Sequence, residues 1–412
     1  MSAAPPRLGS YSVFAALLAW AGLPIYIHAP KVYVDTYGVS LAALGAVLFG
    51  LRLLDVVQDP LLGRLSEAFR AHRHRAVTIA AAIMALGMLG LFAIEPIGMR
   101  PIWWFALMLT LVFSAFSFLS INFYAQGVLK AHQIGAQGHL KLARWRETGA
   151  LLGICTAAVA PTGLAWITAE PFTGFALAFA LLALIAVLLM HTEWGAVATR
   201  PSTGFRAVLK DNLARRLLII ALLNAAPVAV SSTLFLFFVE ARLDAPGLEG
   251  PLLLLFFLSA ALTAPLWGGL AERWGAKPVL IGAMLLAIFS FAFALLLGPG
   301  DWVYFALICI ASGAALGADL TLLPAIFAAR MAQVSPSAAE GFGLWSFVSK
   351  LSLALAAVTL LPALEAAGFD NSLAAQSPAQ SLMLLSLLYA ALPCGLKLIA
   401  LTLLATTPIQ EV

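Results

Sequence analysis

Residues 59–69 read DPLLGRLSEAF, and residues 264–274 read APLWGGLAERW. The two stretches lie 205 positions apart (264 − 59) in a chain of 412 residues, so the offset is close to half the chain. Five positions are identical: Pro60/Pro265, Leu61/Leu266, Gly63/Gly268, Leu65/Leu270 and Glu67/Glu272. Phe69 and Trp274 are both aromatic. Each copy closes an apolar run and enters a polar loop. A repeat at equivalent points of two halves implies a duplicated unit. It predicts two similar bundles with Pro60 and Pro265 at matching places.

Outward from the repeat, the chain is 62% hydrophobic and only 10% charged, with a mean hydropathy of +0.99. A soluble domain carries about 25% charged residues, so the solvent for most of this chain is lipid. Runs of about 20 apolar residues each cross a hydrocarbon core as a helix. Twelve fall near 9–29, 39–63, 77–96, 102–128, 148–168, 172–191, 215–239, 248–270, 278–298, 302–327, 341–363 and 380–405. The N-terminal run is read as a retained span, not a signal peptide. The longest polar stretch, 192–214, divides the chain into bundles at 1–191 and 215–412. The predicted fold class is an all-α membrane protein of twelve transmembrane helices in two six-helix bundles.

Orientation follows from lysine and arginine in the loops. With both ends in the cytoplasm, the inner segments carry 17 of them and the outer segments only Lys31, Arg100 and Arg242. The expected location is the cell inner membrane, multi-pass, with both termini cytoplasmic. A net charge of +4 offers no basic tract for nucleic acid. Cys155, Cys309 and Cys394 all lie in apolar runs without metal-ligand spacing, so neither disulfides nor a metal centre is expected. His72 and His74 sit in a basic loop and read as solvated surface.

Six charged residues fall within the spans away from their outermost two positions: Arg52, Asp55, Asp59, Asp319, Lys350 and Lys397. An intramembrane charge needs a partner, water or a ligand. Arg52, Asp55 and Asp59 follow each other at i+3 and i+4 in LRLLDVVQDP (51–60), which puts them on one helical face. Two carboxylates one turn apart repel in a low dielectric. They are comfortable with a cation between them, with one protonated, or with Arg52 neutralising part of the charge. A coupling-cation site and a structural ion network both fit; the first is preferred because intramembrane acids default to ion pathways. At the 205-residue offset Asp55 and Asp59 become Ala260 and Ala264, so the acids are a feature of the first half alone. Lys350 reads as a counter-charge for these acids or as a gating residue, and Asp319 pairs with Lys350 or lines a cavity. Lys397 lies nearer the cytoplasmic end, and its stem is expected to snorkel. Tyr26, Asn122, Tyr124, Gln126, Trp145 and Trp345 are candidates for a substrate-cavity lining, although most aromatics in such a chain are core or interface.

Four stretches resemble the glycoside–pentoside–hexuronide:cation symporters, the melibiose-permease branch of the major facilitator superfamily. They are RLLDVVQDPLLGRLSE (52–67), RWRETGALLG (144–153), GADLTLLPAIFAA (317–329) and EGFGLWSFVSKLSLALA (340–356). The resemblance implies a central cavity, alternating access, Asp55 and Asp59 as cation-binding acids, and Lys350 at the family's eleventh-helix lysine. Arg52 belongs to the same network. The fourth span departs from the family: Asn122, Tyr124 and Gln126 stand where an acid is expected. The first span has no acid in GSYSVFAALLAWAGLPIYIH (9–28), and 328–343 has lost most of the family's acids.

The functional reading is a cation-coupled symporter of a small solute, a sugar or glycoside, coupled to H+ or Na+ with no cofactor. It is expected to be monomeric in the bilayer. No nucleophile–base pair or metal cluster marks an enzyme. The alternative is an exporter or a lipid or amphiphile translocator on the same fold, which the acid-free first span favours.

Overall fold

The computed structural model describes residues 7–135, 137–195, 204–335, 338–366 and 378–409, excepting the side chains of 23, 24, 26–28, 31, 41, 42, 52, 56, 357, 361, 365 and 379. Among the described residues every regular element is helical. In the first half these are α1 (Leu8–Trp20), α2 (Leu23–Tyr37), α3 (Leu41–Ala68), α4 (Arg73–Phe92), α5 (Pro101–Ile134), α6 (Gly138–Leu164), α7 (Pro171–Met190) and the short α8 (Gly204–Lys210). The second half holds α9 (Asn212–Phe237), α10 (Glu249–Trp274), α11 (Ala276–Ala292), α12 (Trp302–Val334), α13 (Ala339–Ala366), α14 (Ala379–Ser386) and α15 (Leu392–Ala405).

Local chemistry sets the ends. Gly38, at φ 64°, stops α2 by adopting the left-handed conformation that a Cβ disfavours, and its N–H caps the Val34 carbonyl. Ser40 then caps α3, its hydroxyl accepting from the Ala43 N–H, and Asp211 caps α9 through the Ala214 N–H. Pro101 and Pro171 open α5 and α7, where the missing N–H costs nothing.

Nine segments among the described residues are long and apolar enough to cross a membrane, and they match nine of the twelve expected spans. Helices also stand at the other three places. The first of these is broken at Ala21–Gly22 into α1 and α2. The second is α3, which carries Arg52, Asp55, Asp59 and Arg64, and the fifth is α6, which carries Lys141, Arg144, Arg146 and Glu147. Pro60 lies inside α3 and Pro265 inside α10, eight (68 − 60) and nine (274 − 265) residues before the respective helix ends. The repeat therefore falls at equivalent places in two helices.

The chain divides into two compact units, Met1–Lys210 with Ala328–Phe347, and Asp211–Phe327 with Val348–Val412. The segment 328–347, expected in the C-terminal half, thus packs with the first unit. In the first unit α1 packs on α6 and α7, and α5 on α3 and α4. Its core holds Tyr11, Phe14, Phe105, Phe123 and Phe175. In the second unit α15 packs on α9 and α11, over a core where Phe238 stacks on Tyr389 at 4.1 Å.

Candidate functional site

α3 presents its two acids to the interior of the first unit. Asp59 is fully buried and Asp55 is 6% exposed. Burying a carboxylate without hydrogen-bond donors is costly, and the structure supplies donors to both. Gln58 Nε2 donates to Asp55 Oδ1 at 2.6 Å, and Gln58 Oε1 accepts from the Ser114 hydroxyl of α5 at 2.9 Å. The Ser346 hydroxyl, on the part of α13 that belongs to the same unit, donates to Asp59 Oδ2. One turn beyond Asp59, Gly63 lies against the backbone of Ala339 and Gly343 closely enough that a Cβ there would sit 3.3 Å from the Ala339 carbonyl. Glycine at 63 and 343 lets α13 approach α3, and that approach brings Ser346 within reach of Asp59.

Gln58 and Ser346 were not foreseen. Gln58 had a signal, since it stands three residues after Asp55 on the same face. Ser346 lies 287 residues from Asp59 and had none.

The three polar residues expected at a cavity from the fourth span are committed elsewhere. Asn122 accepts from Ser66 and donates to the Phe118 carbonyl, each at 2.8 Å. Gln126 accepts from Arg73 at 3.0 Å and donates to the Glu193 carbonyl. They are 1% and 0% exposed and tie helices together within the first unit. Tyr124 donates to Glu147 at 3.0 Å, with the Arg146 guanidinium 3.8 Å above its ring and the Phe342 ring beside it. Glu193, at the start of the central loop, also accepts from the Arg7 backbone N–H and meets Lys130 at 3.5 Å.

Asp319 pairs with Lys397, a different partner from the expected Lys350. Lys397 does not snorkel: it is 5% exposed, held by Asp319 and by Asn224 at 2.6 Å. Its four-carbon stem points into the second unit because two acceptors wait there. Lys350 is half-buried on the second-unit part of α13, and Trp345 is half-buried on the first-unit part. The side chains of Tyr26 and Arg52 lie outside the described residues. At the entry to α6, burial pushes the His139 imidazole down to about 4, helped by the neighbouring His132 and Arg146. Among the described residues no group of His, Cys, Asp and Glu is arranged to hold a metal.

A helical chain with apolar spans, an internal duplication and a buried acid pair on one helix defines a multi-pass membrane transporter of the major facilitator fold. The chain belongs to the MFS/sugar transport protein family, whose profile matches residues 9–411. It is also similar to the sphingosine-1-phosphate transporter MFSD2B of Xenopus tropicalis, 28% identical over 215 residues. That match covers 50% of this chain, and the chain spans about 41% of the relative's length. Two solved structures share the fold. The human organic anion transporter MFSD10 (TETRAN) aligns with a TM-score of 0.61 at 17% identity, over 96% of this chain and 98% of that one. A bacterial homologue of the iron transporter ferroportin, in an outward-facing state, aligns with a TM-score of 0.69 at 13% identity, over 98% and 100%.

Proposed function

We propose that the protein is a cation-coupled transporter in which Asp55 and Asp59 bind the coupling ion and a small solute moves with it by alternating access. The observation that carries this reading is the burial of both carboxylates on one face of α3, each met by a neutral donor, Gln58 or Ser346. Such a pair gains from binding a positive charge. The proton is the preferred ion. Sodium needs a full shell of oxygens, and the oxygens of Asn122, Tyr124 and Gln126 are already engaged. A proton needs no shell. Lys350 and Arg52 complete the charge network in this reading, which places the protein in the melibiose-permease-like branch, in the cell inner membrane.

Two solute classes follow. A sugar or glycoside fits the family as described. An amphiphile or lipid fits the acid-free first span and the relative that transports sphingosine-1-phosphate.

The test is uptake into proteoliposomes under an imposed proton or sodium gradient, with radiolabelled sugars and with lysolipids. Asp59→Asn and Asp55→Asn are expected to abolish uphill accumulation while leaving the protein folded. If both variants accumulate solute as wild type does, the acids are structural and the coupling mechanism fails.

A further inference from the structure

The repeat reaches further on its exposed side than its identities do. On α3, Val57, Leu61, Leu65 and Phe69 follow each other at i+4 and share a face. At the same 205-residue offset, Leu262, Leu266, Leu270 and Trp274 do so on α10. The two stripes are exposed alike. Val57 and Leu262 are 66% and 64% exposed, and Leu61 and Leu266 are 58% and 63%. The closing rings, Phe69 and Trp274, are 46% and 66% exposed.

Away from the stripes both helices are packed. Gly63 of α3 lies against the backbone of Ala339 and Gly343 of α13. On α10, Ala264 and Gly268 are buried, and Thr263 and Trp267 donate to the Ala314 carbonyl of α12. Helices that meet within a membrane bring small residues to the contact. Here the small residues lie on the packed faces, while each stripe carries only branched aliphatic chains and one ring. Acyl chains are the partner that such a surface fits.

The stripes also stop alike. Phe69 caps the end of α3, and RAHRHR (70–75) follows it. Trp274 is the last residue of α10, with exposed Arg273 before it and Gly275 after it at φ 88°. An exposed ring between an apolar stripe and a polar, basic turn suits the headgroup level of a bilayer.

We propose that each copy of the repeat is a lipid-contact surface, its aliphatic stripe lying against phospholipid acyl chains and its closing ring, Phe69 or Trp274, seated at the headgroup boundary. A ring at that boundary sets the depth of the acid site. Asp59 stands ten residues before Phe69 (69 − 59), about 15 Å along the helix axis. The hydrocarbon core is about 30 Å thick, so Asp59 lies near the middle of the bilayer. The surface does not depend on the coupling role of Asp55 and Asp59.

A depth profile tests this. In a Cys155→Ala/Cys309→Ala/Cys394→Ala variant in phosphatidylcholine liposomes, a nitroxide is attached singly at Val57→Cys, Leu61→Cys, Leu65→Cys or Phe69→Cys, and at the α10 counterparts. Collisions with oxygen, which partitions into lipid, are expected to exceed those with a water-soluble nickel chelate at Val57→Cys and Leu61→Cys. That excess is expected to be lost at Phe69→Cys, and α10 repeats the pattern from Leu262→Cys to Trp274→Cys. Few collisions of either kind along a stripe would assign a protein partner, and a nickel excess throughout would assign water; either overturns the proposal. Four positions on each helix keep the profile readable if one variant fails to fold. A second reading leaves the cysteines in place: the fluorescence of the wild type less that of Trp274→Phe. Phosphatidylcholine brominated near the headgroup should quench this difference more than lipid brominated near the chain ends, and the reverse order overturns the placement of the ring.

Discussion

Lys397 brings a full charge into the interior of the second unit, where Asp319 and Asn224 receive it. Removing one member of a buried pair strands the other, at a cost of about 3–5 kcal/mol, whereas replacing both with apolar groups is close to neutral. Lys397→Met is therefore expected to lower the thermal midpoint of the purified protein strongly. Asp319→Leu/Lys397→Met should recover most of that loss; a double variant as unstable as the single one would show that the pair supplies more than mutual neutralisation. His139 makes a different demand. Its folded-state value of about 4 lies below the ordinary 6.5, so between those values the unfolded chain takes up a proton that the folded one refuses. Stability is fully present above about pH 6.5 and falls as the pH drops toward 4, by about 3 kcal/mol in total. His139→Gln should flatten that part of the stability–pH curve, read by thermal unfolding at pH 7.5 and 4.5. At this scale the acids on α3 were legible because i, i+4 spacing fixes a shared face. The partner of Asp319 was not, because Lys397 lies 78 residues away and depth along a helix does not say which way a long stem turns.

Between helices, glycine decides how near two axes come. A methyl group at Gly313 of α12 would overlap the Phe256 carbonyl of α10, and one at Gly317 would press on the Ala260 carbonyl and Thr263. Thr263 and Trp267 of α10 both donate to the Ala314 carbonyl of α12 across this contact. Ala260, the repeat counterpart of Asp55, is thus packed against a helix surface, which explains why the second half bears no acid there. Gly313→Val is expected to destabilise by about 1–3 kcal/mol through overpacking. Gly282→Ala on α11, which meets nothing within 4 Å, should be neutral or slightly stabilising. Comparable melting temperatures for the two would mean that the α10–α12 contact yields without cost. The sequence placed a helix at every span but could not show which of its many glycines sit at a close approach.

For the whole molecule, the duplication makes the overall plan legible. The repeated prolines do fall inside corresponding helices. The 17-to-3 distribution of basic residues predicts that both termini lie in the cytoplasm. A reporter fused after Val412 should read cytoplasmic, and a periplasmic signal would invert the topology. What the loops could not reveal is where the halves part. Beside the one in the central loop, two boundaries fall within helices, after Phe327 in α12 and after Phe347 in α13, where Gly343 and Ser346 pack on α3. This matters to anyone recombining this protein with a homologue. A hybrid joined at the central loop would bring a foreign 328–347 against the native α3, and would lose the Ser346–Asp59 bond unless the donor carries a hydroxyl there. A crossover scheme that keeps 328–347 with the parent that supplies α3 inherits the contact intact, so viable hybrids need three junctions where the loop map suggests one.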